Sequence, residues 1–207
     1  MASYKQILED CRIKLLDIIN DEEGWEKCQN EKQIVITRKL STFFDGHVFK
    51  GEVDIDAPFD KVAKIWAPNP KGHREEWDTH VTSLECVEEI DEEVYIVRTV
   101  TPSAAMGLVA ARELIDLMML RFEDDGQTAM TVSKSIEHND CPIQDKLVRG
   151  TNYPGGTLYR KTGPYTTHMT YIGHTCLGGN LPTSVVEALM PRTIHSMLDT
   201  LRKASTQ

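Results

Sequence analysis

Few residues in this chain are placed to do covalent chemistry. His73, Glu76 and His80 fall close enough in sequence to be imagined around a metal ion. Seven histidines in 207 residues make such coincidences common, and solvated polar side chains are the plainer reading. There is no Gly-x-Ser-x-Gly elbow, no Gly-rich phosphate loop and no cysteine beside an evident histidine. The five cysteines, Cys11, Cys28, Cys86, Cys141 and Cys176, are scattered, odd in number and without zinc-ligand spacing. They read as free thiols of a reducing compartment. No cofactor and no metal is expected. What remains is recognition chemistry, polar groups set into apolar segments. Arg112 opens the run Leu114, Ile115, Leu117, Met118, Leu120, and the next segment alternates Thr131, Ser133 and Ser135 with Met130 and Val132. Such a hydroxyl face either meets solvent or lines a mixed pocket, and solvent is the commoner fate in an antiparallel sheet.

The elements that carry these residues follow from periodicity. Residues 4 to 20 place Ile7, Cys11, Leu15 and Ile18 on one helical face. Gln33 to Lys39 and His47 to Ile55 read as a hairpin, with β-branched residues in the first strand. A helix follows Pro58, with Phe59, Val62, Ile65 and Trp66 apolar, and Pro68 and Pro70 end it. Strands are expected at 81–90, 94–100, 112–123, 128–137, 146–153, 157–161 and 167–177, with Pro154-Gly155-Gly156 as a bend. Short turns between consecutive strands favour antiparallel pairing. The segment from Thr101 to Ala111 is unusually apolar for a loop, which suggests that it covers something or meets lipid. Last comes a helix over 182–204, whose stripe contains Val186, Leu189, Met190, Ile194, Met197, Leu198 and Leu201. Ser184 and Glu187 have capping-box spacing, and Pro191 inside the helix removes a backbone donor and is expected to kink it. This stripe belongs either to a core helix or to a lid over a cavity.

Composition narrows the function classes. The chain is long enough for one domain with a core and a cavity, expected to span 1–207. A formal net charge of −9 argues against nucleic acid and against standing attachment to anionic membranes. No apolar run approaches the length that crosses a bilayer. Met1 to Asp10 is polar, unlike a signal peptide, and neither terminus matches a lipidation motif. A cytoplasmic protein, with no nucleic-acid partner and monomeric, is the expectation.

Several pieces together resemble the START family of lipid transfer domains. They are Glu76-Trp77-Asp78 with Val81, Arg98-Thr99 followed by Thr101-Pro102-Ser103-Ala104-Ala105-Met106, Arg149-Gly150 with Asn152 and Pro154, His174-Thr175 with Leu177, Gly179, Leu181 and Pro182, and Pro191-Arg192. The resemblance runs from about Gly24 to Ala204 and is strongest to the family's small single-domain cytosolic subgroup, and within that to its bile-acid- and sterol-binding member. It implies the α+β helix-grip fold, a curved antiparallel sheet around the C-terminal helix with an internal lipid tunnel, and a protein that binds or moves lipids without covalent chemistry. It implies that the 101–111 loop and the last helix form a gate, and that membrane contact is transient. Two departures stand out. The acid that the family often places opposite its cavity arginine, Arg112 here, is replaced by Thr99, and the late-strand aspartate is Cys176.

Arg74 matches a cavity arginine of the subgroup. An arginine facing a tunnel is unfavourable unless paired. Without an acid at 99, the partner of Arg112 would be Asp116, water, a ligand anion or backbone carbonyls. Arg74 and Arg112 are thus the candidates to receive the hydroxyl or carboxylate of a sterol, bile acid or similar lipid. Trp77, Thr99, Thr101, Ser103, Thr131, Ser133, Thr170 and Tyr171 are further candidate binding residues, with Met106, Met190, Ile194 and Met197 as apolar gate or tunnel residues. The alternatives are a ligand-sensing regulatory module and, less favoured, a cyclase or hydrolase on the same fold.

Overall fold

The computed structural model describes residues 3–67, 74–123 and 125–206. His73, Pro68, Pro70 and Asp124 lie outside the described residues. Helix α1 (Tyr4–Asn20) is capped by Ser3, whose hydroxyl accepts from the Gln6 amide. The strands are β1 (Glu26–Glu31), β2 (Ile34–Leu40), β3 (His47–Ile55), β4 (Ser83–Glu89), β5 (Val94–Thr101), β6 (Arg112–Phe122), β7 (Thr128–Ser135), β8 (Val148–Arg149), β9 (Thr151–Asn152), β10 (Gly155–Gly163), β11 (Thr166–Gly173) and β12 (Thr175–Cys176). Helices α2 (Phe59–Trp66) and α3 (Arg74–Trp77) separate β3 from β4, and α4 (Thr183–Ser205) ends the chain.

The main sheet is curved and runs β1-β2-β3-β11-β10-β7-β6-β5-β4, every step antiparallel, with β8 joining β6 in parallel. Strands β9 and β12 make a separate two-stranded clip. Side chains alternate between the two faces of each strand, so the sheet serves two cores. One lies between the inner face, α2 and α4 and holds Ile36, Phe49, Val53, Tyr159, Met169 and Leu198. The other lies under α1 and holds Leu8, Leu15, Ile115, Leu117, Val132 and Leu158. The helix-grip expectation is met. Among the described residues no helix is long and apolar enough to cross a membrane.

The structure departs from the expected elements in four places. Residues 26–31 form an edge strand with a bulge at Cys28, although their composition is charged. Gly155 and Gly156 lie inside β10 rather than bending the chain before it. The expected strand over 146–153 is reduced to the two short pieces β8 and β9. The capping box of α4 does not form. The helix begins at Thr183 behind Pro182 with no side-chain cap, and Glu187 is drawn to Arg38 at 3.6 Å and His47 at 3.4 Å.

Burial divides α4 at its proline. Every buried residue of the helix lies at or beyond Pro191: Ile194, His195, Met197, Leu198, Asp199, Leu201 and Ser205 follow it. The far half is fastened where Gly51 lets it approach. A Cβ there would sit 2.8 Å from Leu198 and 3.2 Å from Ile194.

Candidate functional site

A cavity of about 320 Å³ lies between the inner face of the sheet and the middle of α4, where Leu189, Met190, Thr193 and Met197 line it. That volume is within the range of small-molecule sites, roughly 300–1,000 Å³. Strand β6 supplies its long wall through alternate residues, Arg112, Leu114, Asp116 and Met118. Register then decides the neighbouring strand. Met118 is opposite Ser133 and Leu120 opposite Thr131, so the hydroxyl face of β7 turns inward with them. Thr131 is only 3% exposed. The expected solvent-facing hydroxyl stripe is therefore part of the cavity side of the sheet. Periodicity alone could not place it, because both faces of this strand are covered.

Nine of the sequence-predicted site residues line this space: Arg74, Thr99, Thr101, Arg112, Thr131, Ser133, Tyr171, Met190 and Met197. Five do not. Ile194 is buried one helical turn behind, against Gly51. Trp77 packs at the edge of the inner core, 6.3 Å from the Trp66 ring, with its buried Nε1 unpartnered among the described residues. Thr170 is buried on the opposite face of β11 from Tyr171, as the strand pleat requires. Ser103 and Met106 project outward on the 101–111 loop, where Met106 is fully exposed and Leu108 is 79% exposed. Sequence reasoning missed Trp66, Asn152, Tyr153, Thr157, His174 and Leu189, and it treated Asp116 only as a partner for Arg112. The available signal for Asp116 was its even spacing from Arg112 along an apolar strand.

The two arginines are held in different ways. Arg74 donates from Nε to Asp78 Oδ2 at 2.8 Å, its Nη2 is also 2.8 Å from that oxygen, and its guanidinium stacks 4.1 Å over the Trp66 ring. Asp78 is 1% exposed. Burial works to raise its pKa, but the hydrogen bonds from His80 and the charge of Arg74 outweigh this and hold it at about 2. Arg112 donates from Nε to the Leu177 carbonyl at 3.2 Å and from Nη1 to the Ala110 carbonyl. No carboxylate lies within 4.0 Å of it among the described residues, and burial lowers its pKa. The guanidinium thus ties the base of the 101–111 loop to the chain entering α4. The neighbouring acid, Glu113, alternates to the other face, where Arg98 and Arg149 pair with it at 2.6 and 3.0 Å.

Asp116 does not pair with Arg112. Four residues along one strand separate them by about 13 Å. Its Oδ1 accepts from Ser135 Oγ and its Oδ2 from Asn152 Nδ2, each at 2.7 Å. Burial pushes its pKa up to about 6 despite these two bonds. The folded state therefore binds the Asp116 proton more tightly than the unfolded chain, whose carboxyl titrates near its ordinary 3.8. The associated stability is complete below about pH 3.8 and is lost as pH rises through 6, a swing of about 3 kcal/mol at 1.36 kcal/mol per unit. Urea unfolding of wild type and Asp116→Asn at pH 4.5 and 7.5 checks this. The wild type is expected to lose stability relative to the variant by about 2 kcal/mol over that range. A difference that does not change with pH would show an ordinary aspartate.

The rest of the polar wall is satisfied or neutral. Trp66 Nε1 donates to Thr157 Oγ1 at 3.1 Å. His174 lies within bonding distance of Ser41 Oγ at 2.7 Å and of the Pro154 carbonyl at 3.2 Å, and burial lowers its pKa. The buried Tyr159 hydroxyl faces Thr131 and Thr157 without a hydrogen bond of good geometry, and burial raises its pKa. A larger depression of about 440 Å³ lies outside, between β1 and α4, lined by Glu26, Lys27, Arg38, Glu187 and Arg192 among others. Its charged, open lining suits solvent, whereas the inner cavity has a mainly apolar exposed wall interrupted by oriented polar groups, the character of a ligand site.

Comparison with known proteins follows the same geometry. The sequence matches the START domain over residues 6–207. It is 34% identical to StAR-related lipid transfer protein 5 of Mus musculus, over 92% of this chain and 90% of that protein. The Bos taurus protein of the same name is 31% identical over 99% of this chain and 96% of its own length. The solved structure of human StAR-related lipid transfer protein 5 superposes with a TM-score of 0.93 at 31% identity, covering 99% of this chain and 97% of that one.

Proposed function

Since the chain belongs to the START domain family, we propose that it binds one rigid apolar lipid in the inner cavity and carries it between membranes. The cavity carries this reading: a single mainly apolar space with an arginine bonded to backbone carbonyls at the loop base. Its volume lies at the small end of the range for small-molecule sites, which favours a compact ligand such as a sterol or bile acid over a two-tailed lipid. Burying such a body is favourable by about 0.8 kcal/mol for each CH₂ equivalent, so release needs a surface that offers the same shelter. The relatives named above are lipid transfer proteins by name, which supports transport over catalysis.

The exit is set by the loop and the near half of α4. Pro102, Ala104 and Val109 from the loop and Leu189 and Met190 from the helix all line the cavity. Ala105, Met106 and Gly107 all adopt positive φ, which turns the loop tip outward and leaves Met106 and Leu108 in solvent. These two apolar side chains are the proposed point of transient membrane contact. The functional test is native mass spectrometry of protein purified from its own cells, followed by exchange of the identified lipid between vesicles. A co-purifying sterol or bile acid and accelerated exchange are expected. Binding without exchange would instead favour a ligand-sensing module, and turnover of the lipid would favour an enzyme.

A further inference from the structure

We propose that Asp116 is a specificity-determining residue that selects ligands bearing a hydroxyl on the body of the molecule, away from the end that lies nearest Arg112. This rests on the reading of the cavity as a steroid-sized site. The carboxylate lines the cavity and is 4% exposed. Its two known bonds come from donors that are themselves fixed. The Asn152 amide nitrogen of the backbone donates to Ser135 Oγ at 2.7 Å, which leaves the Ser135 proton for Asp116. Asn152 Oδ1 accepts from Thr175 Oγ1 at 2.5 Å, which directs the Asn152 side-chain NH₂ to Asp116.

Each carboxylate oxygen offers two acceptor positions, so two are used and two remain. Among the described residues no cation lies within 4.0 Å to take them. The flanking wall positions on the same strand, Leu114 and Met118, have nothing to donate. Along β6 the middle of the wall therefore offers free acceptors and no donor, while Arg112, about 13 Å along the strand, offers donors only. A ligand acceptor or anion at the Asp116 position meets repulsion, and a ligand hydroxyl there meets an acceptor whose other bonds are already made. The two residues give the cavity a direction, with the ligand's acceptor end toward Arg112 and its ring hydroxyl at Asp116. A hydrogen bond to a charged group in such a site discriminates by roughly tenfold or more.

Isothermal titration of the 207-residue chain with cholate, chenodeoxycholate, deoxycholate and lithocholate tests this, because these differ only in ring hydroxyls. In the wild type, removal of one particular hydroxyl is expected to weaken binding by about tenfold or more. In Asp116→Ala that ratio is expected to fall to about twofold or less. Asp116→Asn, which preserves size, serves as the second variant and is expected to show a reduced ratio with the fold intact by circular dichroism. Equal ratios in the wild type and both variants overturn the proposal while leaving the cavity assignment standing. A wild type that takes none of the four ligands and no cholesterol overturns the cavity reading, and this inference with it.

Discussion

Asp78→Asn is expected to destabilise the protein by about 3–5 kcal/mol, the usual consequence of removing one partner of a buried ion pair. The carboxylate has no exposed side-chain surface, and the guanidinium it neutralises is 14% exposed and stacked on Trp66. Without Asp78, Arg74 keeps its charge in a site whose other neighbours are Trp66 and the sulfur of Met197. The same change leaves a single side-chain oxygen to accept from Arg74 and from the His80 amide and ring, which both lie 3.0 Å from Asp78 Oδ1. Urea unfolding of Asp78→Asn, Arg74→Leu and the double variant separates the causes. The double variant is expected to be more stable than Asp78→Asn, because it no longer buries an unpaired cation. A cost below about 1 kcal/mol for Asp78→Asn would mean that the pair contributes no more than a surface one. The pH dependence has a definite sign. Asp78 is held at about 2, below its ordinary 3.8, so its contribution is complete above pH 3.8 and is lost as pH falls through 2. That loss is about 2 kcal/mol and falls at lower pH than the Asp116 effect, which runs in the opposite sense.

Gly156→Ala is expected to be as damaging, for a purely steric reason. Gly156 has φ of +145°, a region that side chains disfavour, and it sits in the middle of the sheet between β7 and β11. A Cβ would overlap the Thr131 carbonyl oxygen and lie 2.9 Å from its carbon and 3.1 Å from Val132 Cα. These are backbone atoms of a paired strand and cannot turn aside as a side chain would. Strain at such a backbone conformation costs about 1–3 kcal/mol and overpacking a similar amount. For a chain of this size the expected loss in Tm is roughly 10 °C or more, at 2–4 °C per kcal/mol. Thermal unfolding by circular dichroism measures it, and a Tm within about 2 °C of the wild type would show that β7 and β10 can separate freely here.

These two residues also show what the sequence could and could not reveal. Gly155 and Gly156 were visible as a break in strand pattern and read as a bend. The structure keeps the strand and uses the missing side chain for close approach to Thr131, a distinction that only the partner strand supplies. The long elements were legible because their periodicity is strong: α1, β3, α2 and α4 fall within two residues of their expected bounds. Strand β1 was not, because Glu26–Glu31 carries charge on an exposed edge and owes its conformation to pairing with β2. The site was legible in part. The arginines and the hydroxyls of β7 stood out by type, but the face they occupy follows from cross-strand register. Trp66, Asn152 and Thr157 reach the cavity from elements whose meeting is set by tertiary packing.

The unequal burial of α4 means that one end of the helix depends on the other to exist. Residues 183–190 make barely two turns, with no side-chain cap at the start and no fully buried residue. A segment of that length does not hold helical order alone, since nucleation is unfavourable and isolated helices shorter than about 12 residues are marginal. It is extended from a nucleus that the packed half beyond Pro191 provides, through a proline that contributes no amide to the ladder. Leu189 and Met190 are the residues through which this segment meets the cavity. Any molecule that packs against them adds to helix propagation as well as to its own affinity, so occupancy of the cavity and order of residues 183–190 become one cooperative equilibrium.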